Sequence, residues 1–410
     1  MNIPKLRFKD NNGNDYPQWN YSSFYNTFNF LSTNNYSRND MNSINGNMRN
    51  IHYGDILTKF NYIINTEKDI LPYLNDNIII KNLPNYIIQS GDIVIADTAE
   101  DYTTGKTCEI INSNNQLVVA GLHTMLCRPK QNIFALGFLG YFMNSNIYHN
   151  QLLPLITGIK VYSIIKKEII KTKISIPFIE EQKKIAKFLT TVDKKIENLK
   201  NTITSLENQK KGLLQQIFSQ KLRFKDKNGN NYPIWEKKKL EDISNITMGQ
   251  SPDSDFVNNE KIGTPFLQGN AEFTNKYPIE KYWCTKPQKI ANSTDILLSV
   301  RAPVGAINIA NKEFCIGRGL SAISFNCNKL FGKYNLEFNL FQLIKKSQGS
   351  TFSSINKKDI SEIILFIPCL EEQTKIADFL SAFDRKLENQ KAQLEHWQQI
   401  KKGLLQQMFV

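Results

Sequence analysis

The sequence is poor in the groups that hold metals or make covalent bonds. Its six cysteines (Cys108, Cys127, Cys284, Cys315, Cys327 and Cys369) form no C-x-x-C pair, and its four histidines (His52, His123, His149 and His396) lie far apart. No zinc-ligand spacing results, and the thiols read as buried or idle. Four scattered histidines define no Ser/His/Asp set. There is no Pro-Pro dipeptide, so the Asn- or Asp-Pro-Pro-aromatic motif that grips a target amine in amino-methyltransferases is missing; NLPNY (82–86) lacks the second proline. TTGKT (103–107) resembles the end of a phosphate loop, but Glu100 stands where that loop needs glycine. Pro252-Asp253 lacks the following Asp/Glu-x-Lys of a metal-dependent nuclease and reads as a turn. No apolar run approaches the ~18 residues of a membrane span, and MNIPKLRFKD has no apolar signal region. These absences predict a cytoplasmic protein without membrane contact and without catalytic machinery of its own.

What is present is length, positive charge and repetition. The chain has 410 residues, which at roughly 150 residues per domain predicts two or three domains. A hydrophobic content of 41% with 25 Phe is that of a folded protein. The net charge of +13 points to an anionic partner, most commonly nucleic acid; the alternative is a solvated basic surface. The second half of the chain up to its last helix, together with the first long helix, carries most of that excess.

KLRFKDNNGNDYPQW (5–19) returns as KLRFKDKNGNNYPIW (221–235), with 12 of 15 positions identical. A longer match joins 176–218 to 367–409 without a gap, with 23 of 43 positions identical, and extends weakly upstream from TGIKVYSIIKKEI (157–169) to QGSTFSSINKKDI (348–360). Between these pieces, 20–156 and 236–347 show no obvious similarity. The layout is tag, variable block and long repeat, written twice. Its period is far beyond that of short solenoid repeats and suggests two units related by an approximate twofold.

In the long repeat, apolar residues recur at alternating spacings of four and three: Ile185, Leu189, Val192, Ile196, Leu199, Ile203, Leu206 and Leu213 in the first copy, and Ile376, Leu380, Phe383, Leu387, Leu394, Trp397 and Leu404 in the second. That is a heptad seam. Lys210, Gln390 and Lys401 interrupt it, and Gly212 and Gly403 weaken its last turns. Pro177 and Pro368 stand where each helix begins. Each helix should run about 40 residues, roughly 60 Å. The economical partner of each stripe is the other copy; the periodicity leaves a parallel pair and a contact between chains open. The variable blocks read as mixed α/β with more strand than helix. Strands are expected in 91–100, 116–129, 293–310 and 313–325, and late helices in 135–146 and 335–346.

Two divergent blocks, each followed by a helix that begins IP-x-x-EEQ-x-KIA-x-FL and ends KKGLLQQ-x-F, and each preceded by KLRFKD…YP-x-W, resemble the specificity subunit of a type I restriction-modification system. The resemblance covers essentially the whole chain. It implies two mixed α/β target recognition domains (1–178 with tag 1–20, and 221–369 with tag 221–235). They are separated by two long helices (179–220 and 370–410) that form an intramolecular antiparallel coiled coil, with an internal pseudo-twofold repeat. It further implies that each block reads one half of a split site on double-stranded DNA and that the helices set the gap between the halves. By the same resemblance, two modification (methyltransferase) subunits that methylate adenine would dock on the helices, and restriction (translocase/nuclease) subunits would join them. The chain would bind no cofactor itself; S-adenosylmethionine, ATP and Mg would sit on the partners. The alternative is a stand-alone tandem DNA-binding regulator.

Base readers should be polar or basic side chains on loops. In the second block the candidates are Gln268, Asn270, Arg301 and Arg318, with Ser350, Thr351, Lys357 and Lys358 from the loop before the helix. In the first they are Lys160, Tyr162, Lys166 and Lys167 from the matching loop, with Thr103, Thr104 and Lys106 on an expected flexible polar loop and His123 after a strand. The lysine pairs have a rival reading as the start of a surface helix. WNYSSFYNTFNFLSTNN, which opens the first block, differs from WEKKKLEDISNITMG, which opens the second. This predicts either a different subtype of reader or a disordered start.

Overall fold

The computed structural model describes residues 4–113, 116–274, 277–348 and 354–409. The chain divides into two compact units, Met1–Lys200 with Ala392–Val410, and Asn201–Lys391. Each unit holds one tag, one variable block and a stretch of both long helices, Ile179–Phe218 and Leu370–Met408. Both helices run unbroken through Gly212 and Gly403, and the first stops before Ser219–Gln220.

In the first unit a five-stranded sheet orders its strands 28–31, 124–129, 93–96, 107–111, 63–65. A four-stranded sheet has the order 118–120, 49–51, 73–74, 41–42. In the second unit the corresponding sheets order 244–248, 320–325, 296–299, 307–309 and 257–258, 282–284, 264–267, 314–316, 290–291. The buried run Ile93–Ala96 and its counterpart Ile296–Ser299 are central because they are apolar on both faces. The late helix of the first block is present as Phe138–Met143, and that of the second is split into Lys329–Asn339 and Phe341–Gln348.

The Asn-rich opening of the first block is ordered and takes the same path as the second. Asn20–Ser23 pairs antiparallel with Lys173–Ile176, as Glu236–Lys239 pairs with Ile364–Ile367. A helical turn follows in both, with Phe24 and Leu240 fully buried at its start. An apolar residue at that one position suffices, which is why the two openings look unrelated.

Each tag is tied to the start of a long helix through a buried carboxylate. Glu181 accepts from Arg7 Nε at 2.9 Å and Nη2 at 2.7 Å, and from Trp19 Nε1 at 3.1 Å. Glu372 accepts from Arg223 Nε at 3.1 Å and Nη2 at 2.6 Å, and from Trp235 Nε1 at 2.9 Å. Both carboxylates are fully buried. The neighbouring Gln182 and Gln373 clamp the chain on either side: each donates to the carbonyl of Pro177 or Pro368, and each accepts from a block amide, Ala135 N or Asn328 N.

The two helices pack antiparallel. In the first unit Ile185 and Leu189 share a core with Met408 and Phe409, and Asp193 pairs with Lys401 at 2.6 Å. In the second, Ile376 and Leu380 share a core with Ile217 and Phe218, while Lys210 meets Asp384 at 2.6 Å and Lys391 meets Glu207 at 2.7 Å. Of the seam positions, Ile185, Leu189, Val192, Ile196, Leu199, Ile203, Leu206, Ile376 and Leu380 are buried; Leu213, Phe383, Leu387, Leu394, Trp397 and Leu404 are half-buried. The two lysines that interrupt the seam have dedicated partners. Lys401 lies 4.3 Å over the Tyr62 ring, and Tyr141 donates its hydroxyl to Asp193 at 2.9 Å. Lys210 lies 5.2 Å over the Tyr334 ring, and Tyr334 donates to Asp384 at 2.6 Å. Each lysine break in the seam thus bolts helix to block.

Removing one partner of a buried ion pair strands the other. Arg223→Met should lower the stability of the second unit by about 3–5 kcal/mol. The double variant Arg223→Met/Glu372→Leu should regain part of that loss in chemical denaturation; equal losses would place the damage in packing and not in the stranded charge.

Candidate nucleic-acid interface

In the second unit one face is assembled from loops distant in sequence. The parallel pairing of 264–267 with 314–316 is the cause, since it sends both strands out of the sheet at the same end. Gln268-Gly269-Asn270 and Gly317-Arg318-Gly319 leave side by side, joined by Gly317 N to Leu267 O at 2.8 Å. Gln250 N donates to Ile316 O at 2.9 Å, and Arg318 N donates to Ser251 Oγ at 3.3 Å. Val300 N reaches Gly319 O at 2.9 Å, Ile355 N reaches Val300 O at 2.9 Å, and Arg301 bridges to Ser354. Glycine is required here by close approach: a Cβ on Gly249 would fall 2.2 Å from Gly317 O, and one on Gly317 would fall 3.1 Å from Gln268 Cα.

The structure therefore brings Gln268, Asn270, Arg301 and Arg318 together. Gln268, Arg301 and Arg318 are exposed and Asn270 is half-buried. An amide and two guanidiniums on one face suit bidentate contacts to adenine and guanine edges. Gln250 and Ser251 belong to the same face and were not anticipated; MGQSP, a glycine and polar pair directly after a strand, is the signal that could have found them. Lys357 and Lys358 are exposed and open the helix Lys357–Ser361, capped by Asn356. Ser350 and Thr351 lie outside the described residues.

The first unit repeats this backbone with other side chains. Gly121 N donates to Ile51 O at 2.8 Å, Asp97 N to His123 O at 3.1 Å and Ile164 N to Asp97 O at 2.9 Å, while Thr98 pairs with Ser163. By these bonds His52 stands where Gln268 does, Thr98 where Arg301 does and Leu122 where Arg318 does. The side chains here bind one another. His123, with φ +52°, puts Nδ1 3.3 Å from Thr98 Oγ1 and 3.5 Å from Asp97 Oδ1, and its ring meets Tyr53 edge-on at 5.3 Å. His52 Nδ1 accepts from Gly54 N at 3.1 Å. Burial, and then the Arg38 charge, hold that imidazole below its ordinary value. Arg38 pairs with Asp55 at 2.8 Å. The sequence reading missed His52, Tyr53, Thr98 and Arg38, because nothing local marks them as neighbours of His123.

Two other expected readers, Thr104 and Lys106, spend their donors within the fold. Thr104 is fully buried and donates to Asp101 O and Tyr162 O, both at 3.2 Å. Lys106 donates to Leu57 O at 3.1 Å and Phe60 O at 2.8 Å, and burial lowers its pKa. Thr103 is exposed and bonded to Asp101. The 101–106 segment is thus a fastened turn, not a flexible loop. Tyr162 packs on Tyr102 with centroids 4.7 Å apart. Lys160, Lys166 and Lys167 are exposed, and Lys166 and Lys167 open the helix Lys166–Ile169. Among the described residues no group of His, Cys, Asp and Glu could hold a metal, and no helix is long and apolar enough to cross a membrane.

Each unit thus presents different polar loops on the same backbone crossing of one repeated frame. The family model of the type I restriction modification DNA specificity domain matches residues 3–208 and 234–396. The putative type I restriction enzyme MjaX specificity subunit of Methanocaldococcus jannaschii is 34% identical over 365 residues, 85% of each chain. The MjaVIII specificity subunit of that organism is 24% identical over 275 residues, 60% of this chain and 64% of that one. The fold is shared with the type I restriction-modification S subunit from M. genitalium (TM-score 0.62, 14% identity, 99% of both chains covered). It is also shared with a chain from work on complex assembly and conformational transition of the type I system (TM-score 0.61, 24% identity, 96% of this chain and 98% of that one). The chain belongs to the type I restriction-modification DNA specificity family.

The crossing at Gly249 gives a test. Gly249→Ala pushes a methyl into a backbone carbonyl and should cost about 1–3 kcal/mol. Faster amide exchange should appear at Gly317 and Gln250, while the long helices stay protected. Unchanged exchange there would mean that the loops are not held by this contact.

Proposed function

We propose that this chain is the non-catalytic specificity subunit of a type I restriction-modification system, working in the cytoplasm. Each unit reads one half of a split target on double-stranded DNA. Two adenine methyltransferase subunits, which carry S-adenosylmethionine, dock on the repeated frame. Restriction translocase/nuclease subunits, which use ATP and Mg, complete the assembly. The observation that carries this reading is the pairing of an equivalent loop crossing in both units with dissimilar side chains on it. A duplicated frame suits two copies of one partner, and dissimilar loops suit two dissimilar half-sites.

The experiment is methylome sequencing of cells expressing the chain with its methyltransferase partner, against cells expressing the methyltransferase alone. The expected result is a new split motif with adenine methylated in both halves. Exchanging residues 236–347 for another block should change one half only. Arg318→Ala should relax that same half at one position by about 1–3 kcal/mol of discrimination. A chain that binds DNA tightly but forms no methyltransferase complex would instead be a stand-alone regulator.

A further inference from the structure

The first unit carries beside its loop crossing an element that the base-reading loops do not use. Residues 157–163 form a hairpin closed by Thr157 N to Ser163 O at 2.9 Å and Ser163 N to Thr157 O at 2.8 Å. Its second arm, Tyr162–Ser163, pairs with Thr98–Ala99, so the hairpin is anchored on the residues that bring Thr98 to the crossing. Thr104 holds the Tyr162 carbonyl from beneath. The turn is tight: a Cβ on Gly158 would fall 1.9 Å from Val161 O.

On this fixed tip the side chains are the wrong kind for a solvated loop. Ile159 is 92% exposed, more than any other large apolar side chain described, and Val161 is 53% exposed. Lys160 lies exposed between them, and exposed Lys166 and Lys167 follow. An exposed apolar point with an exposed lysine beside it and two more on the helix that follows, anchored on the strand that brings Thr98 to the crossing, matches a polyanion with an apolar stack inside it. That is duplex DNA, whose base steps are opened by branched apolar wedges while cations hold the phosphates.

We propose that Ile159 is a wedge that enters the duplex beside the first half-site and partly unstacks one base step, with Lys160 on the adjacent phosphate. The proposal rests on the reading of the first unit as a DNA reader.

The test uses the full chain in complex with its methyltransferase partner, and the duplex that the wild-type complex enriches from a random duplex pool, dye-labelled at both ends. Ile159→Ser should weaken binding about tenfold, or 1.4 kcal/mol, and reduce the bend-dependent energy transfer. It should leave the slope of log K against log [salt] unchanged, because no counterion contact is lost. Ile159→Leu should restore both affinity and bend. Lys160→Ala should instead reduce the slope by about 0.9. Thermal unfolding of all three variants should match the wild type, since the tip supports no core. An Ile159→Ser chain that binds and bends this duplex like the wild type overturns the wedge and leaves a protein contact as the use of the tip. A wild-type complex that enriches no duplex over the methyltransferase alone overturns the DNA reading and the wedge with it.

Discussion

A carboxylate with no access to water is the constraint on which each unit depends. Glu181 and Glu372 sit in the first turn of a long helix, fully buried, where an unpaired charge would cost several kcal/mol. Each is satisfied only by an arginine fork and an indole N–H from a tag more than a hundred residues away. Arginine is the one side chain that supplies two parallel donors to both oxygens, and tryptophan fills the remaining volume while giving a third. The tag must therefore arrive in one orientation, and the strand pairs after it (20–23 with 173–176, 236–239 with 364–367) inherit their register from that arrival.

The repetition in the sequence has an internal cause as well as any external one. Most identical tag residues are occupied within their own unit. Asp10 and Asp226 each accept two amides of the Gly13 and Gly229 turns. Phe8 and Phe224 meet Phe188 and Phe379 edge-on. Lys184 and Lys375 donate to the carbonyls of Lys9 and Lys225. Docking of two like partners explains why a frame would be kept; these bonds explain why it would be kept residue by residue.

The long helices, their seam and the strand-rich blocks were legible because each rests on a period that local sequence carries. The loop crossing was legible only in part. Arg301 and Arg318 stand out as cations on glycine-bordered turns. The neighbourhood of Gln250, Gln268 and Arg318 depends instead on a parallel pairing between strands almost fifty residues apart, for which no local signal exists. In the first unit the same ignorance worked in both directions. Thr104 and Lys106 look polar and free but spend their donors on carbonyls of the fold. His52 and Tyr53 open the helix Tyr53–Thr58 and at the same time stand at the crossing. Lys210 and Lys401 look like defects of the seam until the Asp and Tyr on the facing surface are known.

The two crossings differ in how much is settled before DNA arrives. In the first unit His123, Thr98, Asp97 and Tyr53 contact one another, so their directions are fixed in the free protein. In the second, Gln268, Arg301 and Arg318 reach outward from a backbone that is fixed by Gly249 and Gly317, while the side chains have no partner among the described residues. A pre-set surface loses less rotamer entropy on binding; free guanidiniums cost more to order but have charge-assisted bonds left to make. The same frame thus supports two surfaces with different physics. The helices are fixed to each unit by Glu181, Glu372 and their tags and also by Tyr141 on Asp193 and Tyr334 on Asp384, so a block that keeps those tyrosines can be exchanged without redesigning the helices.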